Sequence, residues 1–211
     1  MRAHNQLDTR QKLIVVARKL FARYNYESVS VRMICDEADT NVSSISYHFG
    51  GKEELYRTCL MEHGKGLHSS LSRILSGPES VEECRVKMKI YISELLENSV
   101  NDIDVMRMII REIDSNLKIA EDIFQDVHLK LGETFQSYIK RAQERGFIRE
   151  DIAPDFLDRF IHTQSFMGIK FCELSNKLGK GNLFDKSYRD KLVDQMMKIF
   201  ENGVFVQSEK S

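Results

Sequence analysis

Residues Thr9–Leu55 read TRQKLIVVARKLFARYNYESVSVRMICDEADTNVSSISYHFGGKEEL. Leu13, Ala17, Leu20, Phe21 and Tyr24 fall on one face at helical spacing, which predicts a first helix from about Asp8 to Tyr24. Ser30 is placed to cap a second helix that runs to about Ala38 and buries Val31, Ile34 and Cys35. A tight break at Ala38-Asp39-Thr40 follows. Asn41 then caps a short third helix ending near His48, Gly50-Gly51 stops it, and Lys52 opens a fourth helix reaching about Leu75. Short helices separated by a tight turn, the third of them studded with hydroxyls, make a helix-turn-helix. One helix braces, and the other is narrow enough to enter a DNA major groove.

The third helix carries the chemistry expected of a groove reader. Ser43, Ser44 and Ser46 are short, so the helix axis can approach base edges, and three serines in so short a helix are poor helix economy without a groove to fill. Ile45 and Phe49, four apart, face the core against Leu20, Phe21 and Ile34. Tyr47 and His48 project from the C-terminal end, where a phenol or imidazole can donate to phosphates; Tyr47 has a second reading as a rim residue over Phe49, and His48 as a helix-end cap. Asn41 fixes where the helix starts. Asp39 stands where such turns usually take Gly, and Asp tolerates a left-handed backbone better than most residues. Ser30 presents a helix N-terminus to a phosphate, and Lys52 does the same with an added charge. Arg32, one turn into the second helix, is either a phosphate or groove contact or a solvated, ion-paired side chain.

Beyond this segment the pattern is helical throughout. Gly77-Pro78 breaks the chain, and both prolines, Pro78 and Pro154, stand where helices begin. A fifth helix to about Asn98 points Val86, Ile90 and Leu95 inward, and a sixth over Ile103–Ser115 carries Met106, Ile109, Ile110 and Ile113. A seventh shows a ladder of Ile119, Ile123, Val127, Leu131, Phe135 and Ile139, each four residues apart, ending at Gly146. A strict four-residue step drifts around an ideal helix, so Phe124, Tyr138 and Ala142 widen the stripe. Asp155 to Leu174 marks an eighth helix, and Leu192, Met196, Ile199 and Phe200 a ninth. The fold class is all-α: an N-terminal three-helix domain, residues 8–55, and a larger helical domain, residues 56–206.

Composition sets the bounds. The formal charge of −1 argues against a protein that coats nucleic acid by bulk charge alone. Residues 1–57 hold nine Lys/Arg against seven Asp/Glu, so the remainder carries the acidic excess. Cys35, Cys59, Cys84 and Cys172 are scattered without a C-x-x-C pair, as in a reducing compartment. With no apolar run for a signal peptide or a span, a soluble cytoplasmic protein is expected. His63 and His68, five apart, do not share a face well enough for zinc, and His128 and His162 read as core or interface histidines. Arg107 and Arg111 either hold an anionic ligand or pair with Asp104, Glu112 or Asp114, the second being simpler. Neither metal nor cofactor is expected. With no Ser-His-Asp order, phosphate loop or convergent carboxylate pair, an all-α enzyme or carrier is the weaker alternative, as is a protein-binding adaptor.

The chain resembles the TetR family of bacterial transcriptional regulators. Its pattern T-R-x-x-I-L-x-A-A-x-x-L-F, T-x-x-x-I-A-x-x-A-G-V-S and Y-x-x-F-x-x-K-E-x-L is met by Thr9-Arg10, Leu13-Ile14, Ala17, Leu20-Phe21, Ser30, Ile34, Ala38, Tyr47, Phe49, Lys52, Glu53 and Leu55. Asn41–Gly50 is similar to the branch with an N-V-x-x-I-x-Y-H-F-G recognition helix; Asp39 for Gly and Cys35 for Ala are departures. The resemblance implies a homodimeric DNA-binding regulator, most simply a repressor, released from a double-stranded operator by a small-molecule effector. It implies pairing through residues 155–175 and 187–205 and an effector cavity among the fourth to eighth helices. Met88, Met106, Ile110, Phe124, Phe135, Met167 and Phe171 are the candidates to line an adaptable apolar pocket there, although core packing is the simpler role for any one of them.

Overall fold

A computed structural model describes residues 8–205, the side chain of His128 excepted. Position 206, the expected end of the second domain, and the His128 side chain lie outside the described residues. The described chain is helical, with one isolated antiparallel bridge between Ile148 and Phe205. The helices are α1 (Thr9–Arg23), α2 (Val31–Ala38), α3 (Ser43–Phe49), α4 (Lys52–Ile74), α5 (Val81–Asn101), α6 (Ile103–Asp114), a short α7 (Glu121–Ile123), a π turn over Phe124–Leu129, α8 (Lys130–Glu144), α9 (Pro154–Lys170), α10 (Cys172–Lys177) and α11 (Lys186–Gly203). They form two compact units. One takes the described residues up to Gly64 together with Asp104–Phe124; the other takes Lys65–Ile103 and the described residues from Gln125 onward. Sequence reasoning divides the chain after residue 55; by contacts, α6 and α7 return to the first unit.

In the first unit, α1, α2 and α3 pack on one another. Their meeting faces are Leu13, Ala17, Phe21, Ile34 and Ile45, all essentially without solvent exposure. Each start is set by a short polar side chain that takes up an orphan amide. Asp8 accepts from the Gln11 N–H at 2.8 Å, and Ser30 from the Met33 N–H at 3.1 Å. The C-terminus of α1 is closed from a distance. Arg111 of α6 donates through Nη1 to the carbonyls of Phe21, at 2.7 Å, and Tyr24. The expected pairing of Arg111 with Asp104, Glu112 or Asp114 is thereby corrected: the last carbonyls of α1 have no partner within their own helix, and a guanidinium satisfies several at once. Glu112 beside it is buried, accepting from the Tyr56 hydroxyl at 2.8 Å and the Ile119 N–H at 3.2 Å.

In the second unit α9 is central, packing against α5, α8 and α10, while α5 also packs on α11. Tyr91, Phe135 and Tyr138 are fully buried there. The inward face of α5 is Cys84, Met88, Tyr91, Ile92, Leu95 and Leu96. Val86 and Ile90 therefore fall on the outer face, 49% and 44% exposed, against the expectation that they point inward. Ile113 is likewise turned out, because α6 buries Val105, Met106, Met108, Ile109 and Glu112 instead.

The four-residue ladder is not one helix. Ile119 lies in the turn before α7, and the stripe then crosses the π turn. A π turn holds more residues than an α turn, so it absorbs the drift that a strict four-residue step builds up. The expected helix from Asp155 to Leu174 breaks at Phe171, between α9 and α10. Pro154 is the first residue of α9, whereas Pro78 lies three residues ahead of α5, whose cap is Ser80.

Candidate nucleic-acid interface

The turn between α2 and α3 is built on Asp39, at φ 51° and ψ 55°, in the left-handed region where sequence reasoning placed it. The Thr40 N–H donates to the Cys35 carbonyl at 3.0 Å and closes the end of α2. The Asn41 side chain then accepts from both the N–H and the hydroxyl of Ser43, each at 2.9 Å. It organises the entry to α3 as expected, although the regular helix starts at Ser43. Gly50, at φ 83°, ends α3 on a conformation that few residues other than glycine take up readily.

The two faces of α3 separate cleanly. Ile45 is fully buried, and Phe49 is half-buried. Ser43, Ser46 and Asn41 are exposed and Ser44 is partly covered. Tyr47 is 85% exposed, the most exposed large hydrophobic side chain of this segment, with its ring edge-on to His48 at 4.9 Å. Ser30 and Arg32 lie exposed at the start of α2, and Arg32 approaches Asp36 only at 3.9 Å.

Lys52 departs from the expectation of a phosphate contact. Its ammonium donates to the carbonyls of Tyr26 and Val29, each at 3.0 Å, and sits 4.0 Å from the centroid of the Tyr26 ring. The loop between α1 and α2 leaves those carbonyls outside any helix, and a lysine at the head of α4 supplies their donors. The side chain anchors a loop. Sequence reasoning also gave no role to Arg10. Its guanidinium lies 5.4 Å from the Phe49 ring centroid and bonds Glu62 at 2.9 Å.

The seven candidate pocket residues divide between the two units. Met106, Ile110 and Phe124 belong to the first unit, and Met88, Phe135, Met167 and Phe171 to the second. Met88, Met106 and Phe135 are core, whereas Met167 and Phe171 are 43% and 44% exposed, turned away from the buried face of α9 that carries Leu157, Ile161, Ser165 and Ile169. A polar cluster also lies within the second unit. His162 Nδ1 lies 2.5 Å from Asp158 Oδ1, and His162 Nε2 lies 2.8 Å from the Tyr91 hydroxyl. Gln136 donates to Asp158 Oδ2 at 2.9 Å. Burial pushes the Asp158 carboxyl up, but the His162 hydrogen bond and charge, with Gln136, outweigh it and hold the group below the usual aspartate range. The four cysteines are buried free thiols. Among the described residues no helix is long and apolar enough to cross a membrane.

Residues 13–59 match the family model described as bacterial regulatory proteins, tetR family. Over 140 residues the chain is 26% identical to a probable HTH-type transcriptional regulator, YttP, of Bacillus subtilis (strain 168), covering 66% of this chain and 67% of that one. Over 96 residues it is 28% identical to the HTH-type nicotine-responsive transcriptional repressor HdnoR of Paenarthrobacter nicotinovorans, covering 45% of this chain and 50% of the relative. The fold matches that of the ketosteroid transcriptional regulator KstR2 of Mycobacterium tuberculosis with a TM-score of 0.72 at 18% identity, over 98% of this chain and 100% of that one. The matched segment holds α1 to α3 and the head of α4, so the first quarter of the chain carries the pattern of the TetR family of bacterial transcriptional regulators, and the whole chain, with the larger helical part behind that segment, shares the fold of a solved transcriptional regulator.

Proposed function

We propose that the chain is a cytoplasmic, homodimeric repressor that a small organic effector releases from its operator, acting by binding and not by chemistry. The observation that carries the DNA reading is the division of α3: Ile45 fully buried on one side, the exposed Ser43 and Ser46 and a Tyr47 that is 85% exposed on the other. Residues 8–55 do the reading. Ser43, Ser44 and Ser46 meet base edges, while Tyr47, His48, Ser30 and Arg32 hold phosphates and Asn41 orients the helix. Lys52 serves by fixing the loop before α2.

One helix this short covers few base pairs, and a two-fold dimer doubles the site. The pairing surface is the outward face of residues 155–175 and 187–205. Phe156, Met167, Phe171 and Leu174 are at least two-fifths exposed there, and Ile199 is 58% exposed. Such a concentration of apolar side chains in water marks an interface.

The effector binds in the part of the chain from residue 56 onward and prefers a state in which the recognition helices are wrongly spaced. Its differential affinity for that state is the energy that frees the DNA. The named response of HdnoR to nicotine supports an effector of that size. α4 runs from Lys52 to Ile74 and so carries residues of both units, which makes it the path of the change. A gel-shift on the DNA upstream of the coding sequence, at two salt concentrations, tests the reading. A discrete complex that survives competitor DNA at moderate salt supports it, whereas non-specific binding that vanishes there contradicts it.

A further inference from the structure

Arg10 touches both the middle of α4 and the last residue of α3. It lies in the first turn of α1 and bonds Glu62 of α4 at 2.9 Å, while its Cζ stands 5.4 Å from the centroid of Phe49, the last residue of α3. The second oxygen of Glu62 lies 3.9 Å from Arg18 of the same helix α1. The Arg10 and Glu62 side chains are 39% and 35% exposed, so the contact is partly shielded from water. A planar guanidinium can lay its face on a ring and its edge on a carboxylate at the same time; an ammonium cannot.

We infer that Arg10 is a positioning residue for DNA reading, clamping the C-terminal end of α3 to α4 through Phe49 and Glu62; this rests on the DNA-binding reading above. The start of α3 is set by Asn41 and its middle by Ile45, which leaves the far end of a seven-residue helix to be held by this clamp. Base-edge contacts tolerate displacements of only about 0.5 Å, whereas phosphate contacts by flexible side chains absorb more. Loosening the clamp therefore costs specific binding and spares non-specific binding.

The test uses a duplex that the full-length wild-type protein selects from a random-sequence library, and a scrambled duplex of equal composition. R10K keeps the charge and loses the planar face, F49L keeps an apolar side chain and loses the ring, and E62Q removes the carboxylate charge. R10K and F49L are each expected to weaken binding to the selected duplex about fivefold, with the scrambled duplex unaffected. The double variant R10K/F49L should lose little more than either single one, because the same contact is removed in each. E62Q should weaken the selected duplex alone, and circular dichroism should show wild-type helix content for all four. The slope of affinity against salt should equal that of the wild type.

Equal losses on both duplexes, a salt slope lower by about one, or fully additive losses would overturn the clamp, as would wild-type affinity in R10K. A wild-type protein that selects no duplex would overturn the DNA reading itself, a failure visible before any variant is made.

Discussion

Tyr56 on α4 donates its phenolic proton to Glu112 on α6 across 2.8 Å, and both side chains are buried in the first unit. The Tyr56 ring also meets Phe21 edge-on at 4.9 Å and Tyr26 at 5.1 Å. Burial first, and the Glu112 hydrogen bond second, push the Tyr56 hydroxyl well above the ordinary tyrosine range. A raised value means that the folded chain keeps its proton where the unfolded chain has lost it. The stabilisation is thus complete below about pH 10 and declines as the pH rises beyond. Tyr56→Phe leaves Glu112 short of a donor and is expected to cost about 1–3 kcal/mol in urea denaturation at pH 7, while flattening the alkaline decline. A Tyr56→Phe protein as stable as the wild type would show that this contact between α4 and α6 carries no weight.

Lys52 separates two accounts of the head of α4. With its ammonium on the Tyr26 and Val29 carbonyls, Lys52→Met should lower stability by about 1.5–3 kcal/mol and leave the salt dependence of DNA binding unchanged. A salt slope reduced by about one, with stability intact, would return Lys52 to a phosphate.

Under the proposed function, Tyr47 and Ser44 divide the labour of α3. Tyr47→Ala should weaken binding to every sequence by a similar factor, because a phosphate contact carries no base information. Ser44→Ala should change which base is preferred at one position of each half-site, by about 1 kcal/mol or more. Equal losses on operator and random DNA for both variants would erase the distinction.

Asp158 makes the second unit sensitive to acid. Its carboxyl is held low by His162 and Gln136 against the effect of burial. A lowered value gives stability that is present above the ordinary aspartate range and is lost as the pH falls through the folded value. Asp158→Asn should cost about 2 kcal/mol at pH 7 and make unfolding below about pH 4 less steep. An unchanged acid transition would remove Asp158 from the account.

Sequence patterns made much of the reading segment legible, because its determinants are local. A cap is recognised from the hydroxyl before an apolar period, as at Ser30, and the left-handed turn from Asp39 at the place of a glycine. Exposure on α3 follows from the spacing of Ile45 and Phe49. What escaped depends on partners far along the chain. Nothing near Arg111 shows that its guanidinium closes α1 some ninety residues earlier, and nothing near Lys52 shows that two loop carbonyls await it. Val86 and Ile90 look like core because they are apolar and four apart. Which face of α5 is buried was decided by Met88, Tyr91 and Leu95 meeting α9 and α11. The π turn at Phe124–Leu129 was foreshadowed only by the four-residue step.

The central claim is that α3 meets DNA as one of a symmetric pair. Selection of duplexes from a random library by the wild-type protein, followed by sequencing, tests it most directly. The expected product is a near-palindrome whose half-sites are centred about 10–10.5 base pairs apart, or a multiple of that, to match two helices in major grooves on one face of the duplex. Enrichment of a single unpaired half-site, or no enrichment at moderate salt, would contradict it.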